Sequence, residues 1–204
     1  MKTILLVLLI AFALSLCNLS GRLGKEGSSS NQPGPSNKAT EPAKPTEQQA
    51  AAVAGGKEVK WIKQGMSWTV PSDWAEQAND ASMFMMRSPG AGGASLIVNI
   101  APMDEGYPVQ SAIEAQFQQA ESRAKNGEVD EVKWVEIDGV KGVQFRETNP
   151  ARGDGSRRLQ WMAYRKYLGQ TQLINLMLAS QGKDFDRHRD AMYGILYSMK
   201  VAHR

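Results

Sequence analysis

Only one of the 204 residues is cysteine, Cys17. That excludes an intramolecular disulfide and every structural zinc set built on several thiolates. Histidine is nearly as scarce, with His188 and His203 alone, so no metal centre and no cofactor are expected. The chain also lacks a Gly-x-Ser-x-Gly elbow, a His-Glu-x-x-His helix and a P-loop. No catalytic residue is assigned, and the sequence does not read as an enzyme. No run of Lys and Arg supplies a stripe for neutralising phosphates, which excludes nucleic acid as a partner. The formal charge of +3 and pI near 9.0 do not alter this. Five basic and three acidic residues fall within residues 1–56, which leaves 19 basic and 18 acidic over residues 57–204. Nor does any apolar run reach the roughly 20 residues needed to span a bilayer.

The longest apolar run is residues 4–16, broken only by Ser15 and preceded by Lys2. Its length and its charged start fit the hydrophobic segment of an export signal, so residues 1–16 are expected to be a signal peptide. Leu14-Ser15-Leu16-Cys17 resembles the bacterial lipobox, in which the cysteine carries lipid and becomes the first mature residue. Leu16 departs from the Gly, Ala or Ser usual before that cysteine. Ordinary cleavage after Ser15 stays open, because Ala13 and Ser15 form a small-x-small pair. Residues 17–56 carry Ser28-Ser29-Ser30, Pro33, Pro35, Pro42, Pro45 and Gly55-Gly56, with few apolar side chains. They are expected to be a disordered tether. Residues 48–54 are long enough for a turn or two of helix that would not be stable alone.

Residues 57–204 then form one domain with a single core. Residues 132–137 and 140–148 alternate around Asp138-Gly139, a signal for a type I′ hairpin. Residues 157–168 meet residues 170–179 across Gly169. Strands are also expected at residues 59–62, 67–70, 83–87 and 95–101. The Gly-rich stretch 88–93 joins two of these strands, which makes it a hairpin connection and not the phosphate cradle found between a strand and a helix. Val109, Ala112, Ile113, Gln116, Phe117 and Ala120 make a helical stripe that opens at Pro108 and stops at Asn126-Gly127. Phe185, Met192, Ile195 and Met199 make a second stripe over residues 184–197, and His188 shares it as a boundary residue. Residues 173–178 are apolar on nearly both faces, the pattern of a central strand covered on both sides. The expected fold class is therefore α+β: an antiparallel β-sheet of about six or more strands flanked by helices, an αβα sandwich. Trp61, Trp68 and Trp74 are read as core. Arg152-Gly153-Asp154 matches an adhesion tripeptide inside a Gly-rich loop, and Asp104-Glu105 and Asp130-Glu131 are read as acid pairs on loops. Neither is taken as a site.

Three stretches carry a family resemblance. Met66-Ser67-Trp68-Thr69-Val70-Pro71-Ser72-Asp73-Trp74 is similar to the opening phrase of PsbP-like proteins. Ile137-Asp138-Gly139-Val140-Lys141-Gly142 resembles their hairpin, and residues 185–201 resemble their closing helix and short final strand. That family includes the Ran-binding Mog protein and the DcrB-type envelope lipoproteins, and the likeness spans residues 59–201. It implies a PsbP-like domain in a bacterial envelope lipoprotein, anchored through Cys17 if that residue is lipidated and otherwise secreted. The function implied is a non-catalytic binding or assembly module whose partner is another envelope protein. The alternative is a small-ligand-binding protein or enzyme with a pocket between sheet and helix, rimmed by Trp161, Tyr164 and His188.

Overall fold

The computed structural model of the chain describes residues 39–203. The expected signal peptide over residues 1–16 and the candidate lipid site Cys17 lie outside the described residues. Element order is β1 (Glu41–Pro42), α1 (Glu47–Val53), β2 (Lys57–Trp61), a 3₁₀ turn (Ile62–Gln64), β3 (Met66–Val70), β4 (Ala75–Asn79), β5 (Met83–Arg87) and β6 (Ser95–Pro102). There follow α2 (Val109–Lys125), β7 (Val129–Ile137), β8 (Val140–Glu147), β9 (Ser156–Tyr167), β10 (Gln170–Gln181), α3 (Gly182–Tyr197) and β11 (Lys200–Val201).

Eight strands form one sheet in the order β1-β7-β8-β9-β10-β6-β5-β4, and three form a second, β11-β3-β2. Every pairing is antiparallel except β1 with β7. The large sheet is therefore mixed, where the sequence predicts a purely antiparallel one. The meander from β7 to β10 is held in register by two tight turns. Asp138-Gly139 has φ of 49° and 81°, and Leu168-Gly169 has 49° and 83°. Positive φ at both central positions is what a type I′ turn needs to match the twist of its strands.

Alternation along the strands gives the sheet two apolar faces. On one, Trp134, Val143 and Phe145 meet Ile113, Phe117 and Ala120 of α2, and Phe117 stacks on Trp134 with ring centres 4.7 Å apart. On the other, Val135, Leu159, Trp161, Ile174 and Leu176 meet Phe185, Met192 and Ile195 of α3 together with Trp61 and Trp68 of the small sheet. Burying each of these side chains stabilises by about 1.5–3 kcal/mol. The two clusters make the expected PsbP-like sandwich, with Trp61, Trp68 and Trp74 all in the core.

Three expectations need correction. Residues 41–53, assigned by the sequence to the tether, form β1 and α1. Thr46 and Gln49 close a capping box at the start of α1, which satisfies two of the N–H groups a short helix leaves free. Val53 is buried, and α1 lies against α3 where Gly194 leaves room: a β-carbon there would overlap the Gln49 carbonyl. Second, β10 is central but only one of its faces is closed. Ile174, Leu176 and Leu178 are fully buried, while Leu173 and Met177 are half-buried because α2 packs on β7, β8 and β9 and stops short of β10. Third, Asp130 and Glu131 are in β7 and not on a loop. Arg146 and Arg157 engage Asp130, and Gln144 and the Tyr193 hydroxyl donate to Glu131, so both carboxylates are committed to packing. Strand β4 is a further element the sequence did not announce, since Ala75-Glu76-Gln77-Ala78-Asn79 has almost no apolar alternation.

Candidate functional site

The ladder between β8 and β9 runs from Arg146↔Leu159 to Gly142↔Ala163 and ends there. Val140-Lys141 and Tyr164-Arg165-Lys166 then part, and the fork between them opens into a cavity of about 360 Å³. The first turn of α2 closes one side with Val109, Gln110 and Ile113. The Asp138-Gly139 hairpin contributes Gly139, the sheet contributes Trp134, and His203 arrives from beyond β11. Gly139 is required here twice over: its φ of 81° suits glycine, and a β-carbon would sit 3.3 Å from His203 Nε2. The site is thus built where a hairpin bends away from its neighbour under the start of a helix.

Its electrostatics are one-sided. Lys141, Arg165, Lys166 and His203 line the cavity, and no carboxylate among the described residues does. Neither Lys141 nor Lys166 makes an ion pair among the described residues. Lys141 Nζ instead rests 4.5 Å from the centre of the Trp134 ring, a cation–π contact available to a cation with no anion nearby. Arg165 is 4 % exposed, and its guanidinium donates only to neutral oxygens: Gln172 Oε1 at 3.0 Å, Gln64 Oε1 at 2.9 Å and the Ala202 carbonyl at 3.0 Å. Burial pulls it down to about 10, which still leaves it cationic at neutral pH. A buried guanidinium facing only dipoles is an unbalanced charge.

Two more features favour negative charge. The first turn of α2 has no acidic residue and no side-chain cap; Val109 N–H is taken by the Tyr107 carbonyl at 2.8 Å, and the partial positive charge of this helix end has no acid beside it. Trp134 is 3 % exposed, and its indole Nε1 is a buried donor with no hydrogen-bond partner among the described residues, a state that costs about 1–3 kcal/mol. Tyr164 completes the wall. Its hydroxyl lies 3.2 Å from that of Tyr107, and burial together with this contact pushes it up to about 12, so it stays neutral and can donate. The arrangement can hold an anionic group by charge and hydrogen bonds, with Val109, Ile113, Val140 and the Trp134 ring offering apolar contact.

Of the three residues expected to rim a pocket, the fold brings only Tyr164 to one. Trp161 is fully buried on the opposite face of the sheet, where its Nε1 donates to the Val135 carbonyl at 3.3 Å. His188 sits on α3 with Nε2 3.1 Å from the Gly92 carbonyl, a satisfied boundary residue far along the sheet from the fork. Arg152, Gly153 and Asp154 are exposed in the β8–β9 loop. The residues that sequence reasoning missed are Lys141, Arg165, Lys166 and His203. A signal existed for the first three: Lys141 faces outward after a turn, and Arg165-Lys166 ends an otherwise apolar strand. For His203, only the folding back of the last residues brings it to the cavity.

A second polar cluster, under the last turns of α2, is a packing device. Glu147 accepts from Arg123 and Arg158; burial opposes its charge, but these two guanidiniums outweigh burial and hold it below the ordinary carboxylate range. Tyr193 and Tyr197 are both pushed up, by burial first. No group of His, Cys, Asp and Glu side chains among the described residues is arranged to hold a metal ion.

No family model matches the chain, and no curated protein matches it by sequence. Solved structures do. LpqN of Mycobacterium tuberculosis, described as involved in cell envelope biogenesis, superposes with a TM-score of 0.52 at 12% identity, covering 72% of this chain and 85% of LpqN. The cyanobacterial PsbP of Synechocystis sp. PCC 6803 matches at a TM-score of 0.46 and 12% identity over 72% of this chain and 92% of that protein. A Bacteroides thetaiotaomicron protein matches at 0.45 and 13% identity over 68% of this chain, which spans 46% of the longer protein's length. The likeness to LpqN is one of fold alone: an α+β sandwich.

Proposed function

We propose that this chain is a non-catalytic binding module of the bacterial cell envelope, and that it binds an anionic group in the forked cavity under α2. The observation that carries this reading is the cavity's charge: Lys141, Arg165, Lys166 and His203 line it, with no carboxylate among the described residues of its lining. Export and tethering rest on the sequence of residues 1–17 and are in keeping with the fold shared with LpqN. No helix among the described residues is long and apolar enough to cross a membrane.

The occupant presents a carboxylate or phosphate to Lys141 and Lys166, with a short apolar neighbour against Val109 and Ile113. An acidic terminus or side chain of another envelope protein fits this description. A free small anion is the second reading, favoured by the cavity volume of about 360 Å³. Thermal shifts over a panel of inorganic phosphate, organic phosphates and carboxylates test both. A ligand at 100 times its dissociation constant adds about 2.7 kcal/mol, or roughly 5–10 °C for a domain of this size. The Lys141→Ala/Lys166→Ala variant is expected to lose that shift while keeping its unliganded Tm. A flat response to the panel, together with unchanged capture of an acidic peptide by the double variant, would contradict the cavity as the binding site.

A further inference from the structure

The described residues include two large apolar side chains that are almost fully exposed, Ile62 at 82% and Leu168 at 81%. They sit in two different loops, and the fold places those loops together. A β-carbon added to Gly65, just after the 3₁₀ turn that begins with Ile62, would fall 2.9 Å from the Tyr167 hydroxyl, beside Leu168. Arg165 Nη2 donates to Gln64 Oε1 at 2.9 Å, and Ala202 N donates to the Gly65 carbonyl at 2.9 Å. One end of the molecule therefore presents both side chains on adjoining turns.

Leu168 is out of place by every local rule. It holds φ of 49°, the left-handed conformation that a branched aliphatic residue resists and that Asn, Asp or Gly accepts. The sister hairpin puts Asp138 at the same position with the same φ. Nothing packs on Leu168 to offset this strain, so folding gains nothing from it. Ile62 gains as little from its exposed place at the start of the 3₁₀ turn. Each apolar tip has a lysine close by: Lys63 follows Ile62, and Lys166 precedes Leu168 by two residues. Lys63 Nζ reaches the Asn79 carbonyl at 3.3 Å, and the acid it faces, Asp80, is held by the Ser82 and Met83 N–H groups. Lys166 is exposed and makes no ion pair among the described residues. Tyr167, half-buried under the Arg165 guanidinium at 4.4 Å, adds an amphipathic ring at the same level.

From this juxtaposition we infer that the Ile62–Leu168 end docks on the surface of an anionic lipid bilayer. Ile62 and Leu168 enter the boundary between headgroups and acyl chains, and Lys63 and Lys166 pair with headgroups. Exposed aliphatics flanked by lysines and a tyrosine are the chemistry that such a boundary rewards, and each lysine near an anionic surface strengthens binding about fivefold. The inference takes its setting from the envelope reading above but does not depend on the cavity being occupied.

Hydrogen exchange of the full chain on vesicles tests it. The readout is local, so any adsorption through apolar residues 4–16 acts alike on every variant. On phosphatidylglycerol-containing vesicles, amides of residues 61–65 and 166–170 are expected to exchange at least about fivefold more slowly than in solution. On phosphatidylcholine alone, or with Ile62→Asp/Leu168→Asp, that protection is expected to disappear. Both substituted side chains are solvent-exposed, so a Tm in solution no lower than that of the wild type shows that the variant is folded. Absence of protection at these two turns in the wild type, protection that survives the double substitution, or equal protection on neutral vesicles would overturn the inference. The double variant retains Lys141, Arg165 and Lys166, so a negative vesicle result with intact anion binding separates this failure from failure of the cavity reading.

Discussion

Leu168 and Asp138 hold the same backbone conformation in sister turns of one meander, and the contrast between them can be measured. A left-handed conformation costs an L-residue about 1–2 kcal/mol, less for Asn and Asp, whose side chains bond locally. Leu168→Asn is therefore expected to raise stability by about 0.5–1 kcal/mol in urea denaturation, with no change in the denaturant slope. A loss of stability would show that Leu168 packs. Glu147 gives a pH-dependent case. Its carboxylate lies between Arg123 and Arg158 and is held below its ordinary value, so the folded state binds this proton less tightly than the unfolded state. The contribution to stability is complete above the ordinary carboxylate range and is lost as pH falls through it toward the lower folded value. Glu147→Gln is expected to cost about 1–2 kcal/mol at pH 7, with the difference from wild type shrinking in denaturation curves taken at progressively lower pH. A difference that persists undiminished at the acid end would exclude the ion-pair account.

At the scale of elements, α1 is the informative case. Residues 48–54 alone make a helix too short to persist, and the segment before it reads as tether. What stabilises α1 is a capping box and an opening in a helix 140 residues later, where Gly194 lets the Gln49 carbonyl approach. Gly194→Ala is expected to lever α1 off α3, costing about 1–3 kcal/mol as overpacking does and exposing residues 47–53 to limited proteolysis. Resistance equal to wild type would mean the contact is not limiting. The meander, α2 and α3 were legible because each encloses its own evidence: Asp138-Gly139 between alternating strands, and an apolar stripe from Val109 to Ala120. Strands β1 and β4 were not legible, because a two-residue parallel pairing and an exposed edge leave no periodicity. The forked cavity was legible only in part. Tyr164 was expected on a pocket between sheet and helix, but its companions Trp161 and His188 were not brought there. The parting of β8 from β9 after Gly142 is a property of pairing, and no residue type announces it.

For the whole molecule, fold and function separate cleanly. The sandwich is accounted for by two apolar clusters, one on each face of the large sheet, and polar groups beneath α3 are matched with partners of opposite charge. Among the described residues, one end gathers a buried arginine without a carboxylate, two lysines without ion pairs and two exposed aliphatic tips, while the indole N–H groups of Trp68 and Trp134 are buried without an acceptor. The measurement that tests the central claim most directly follows the Trp134 indole N–H resonance by ¹H–¹⁵N NMR during titration with phosphate and with a short acidic peptide, assigning the peak with Trp134→Phe. An anion in the fork draws on Lys141, whose Nζ rests 4.5 Å from the centre of the Trp134 ring, and so changes the field at the indole; the resonance is expected to move and saturate for the wild type, and to stay fixed in Lys141→Ala/Lys166→Ala. An indole resonance that does not move while other parts of the chain respond would contradict the account.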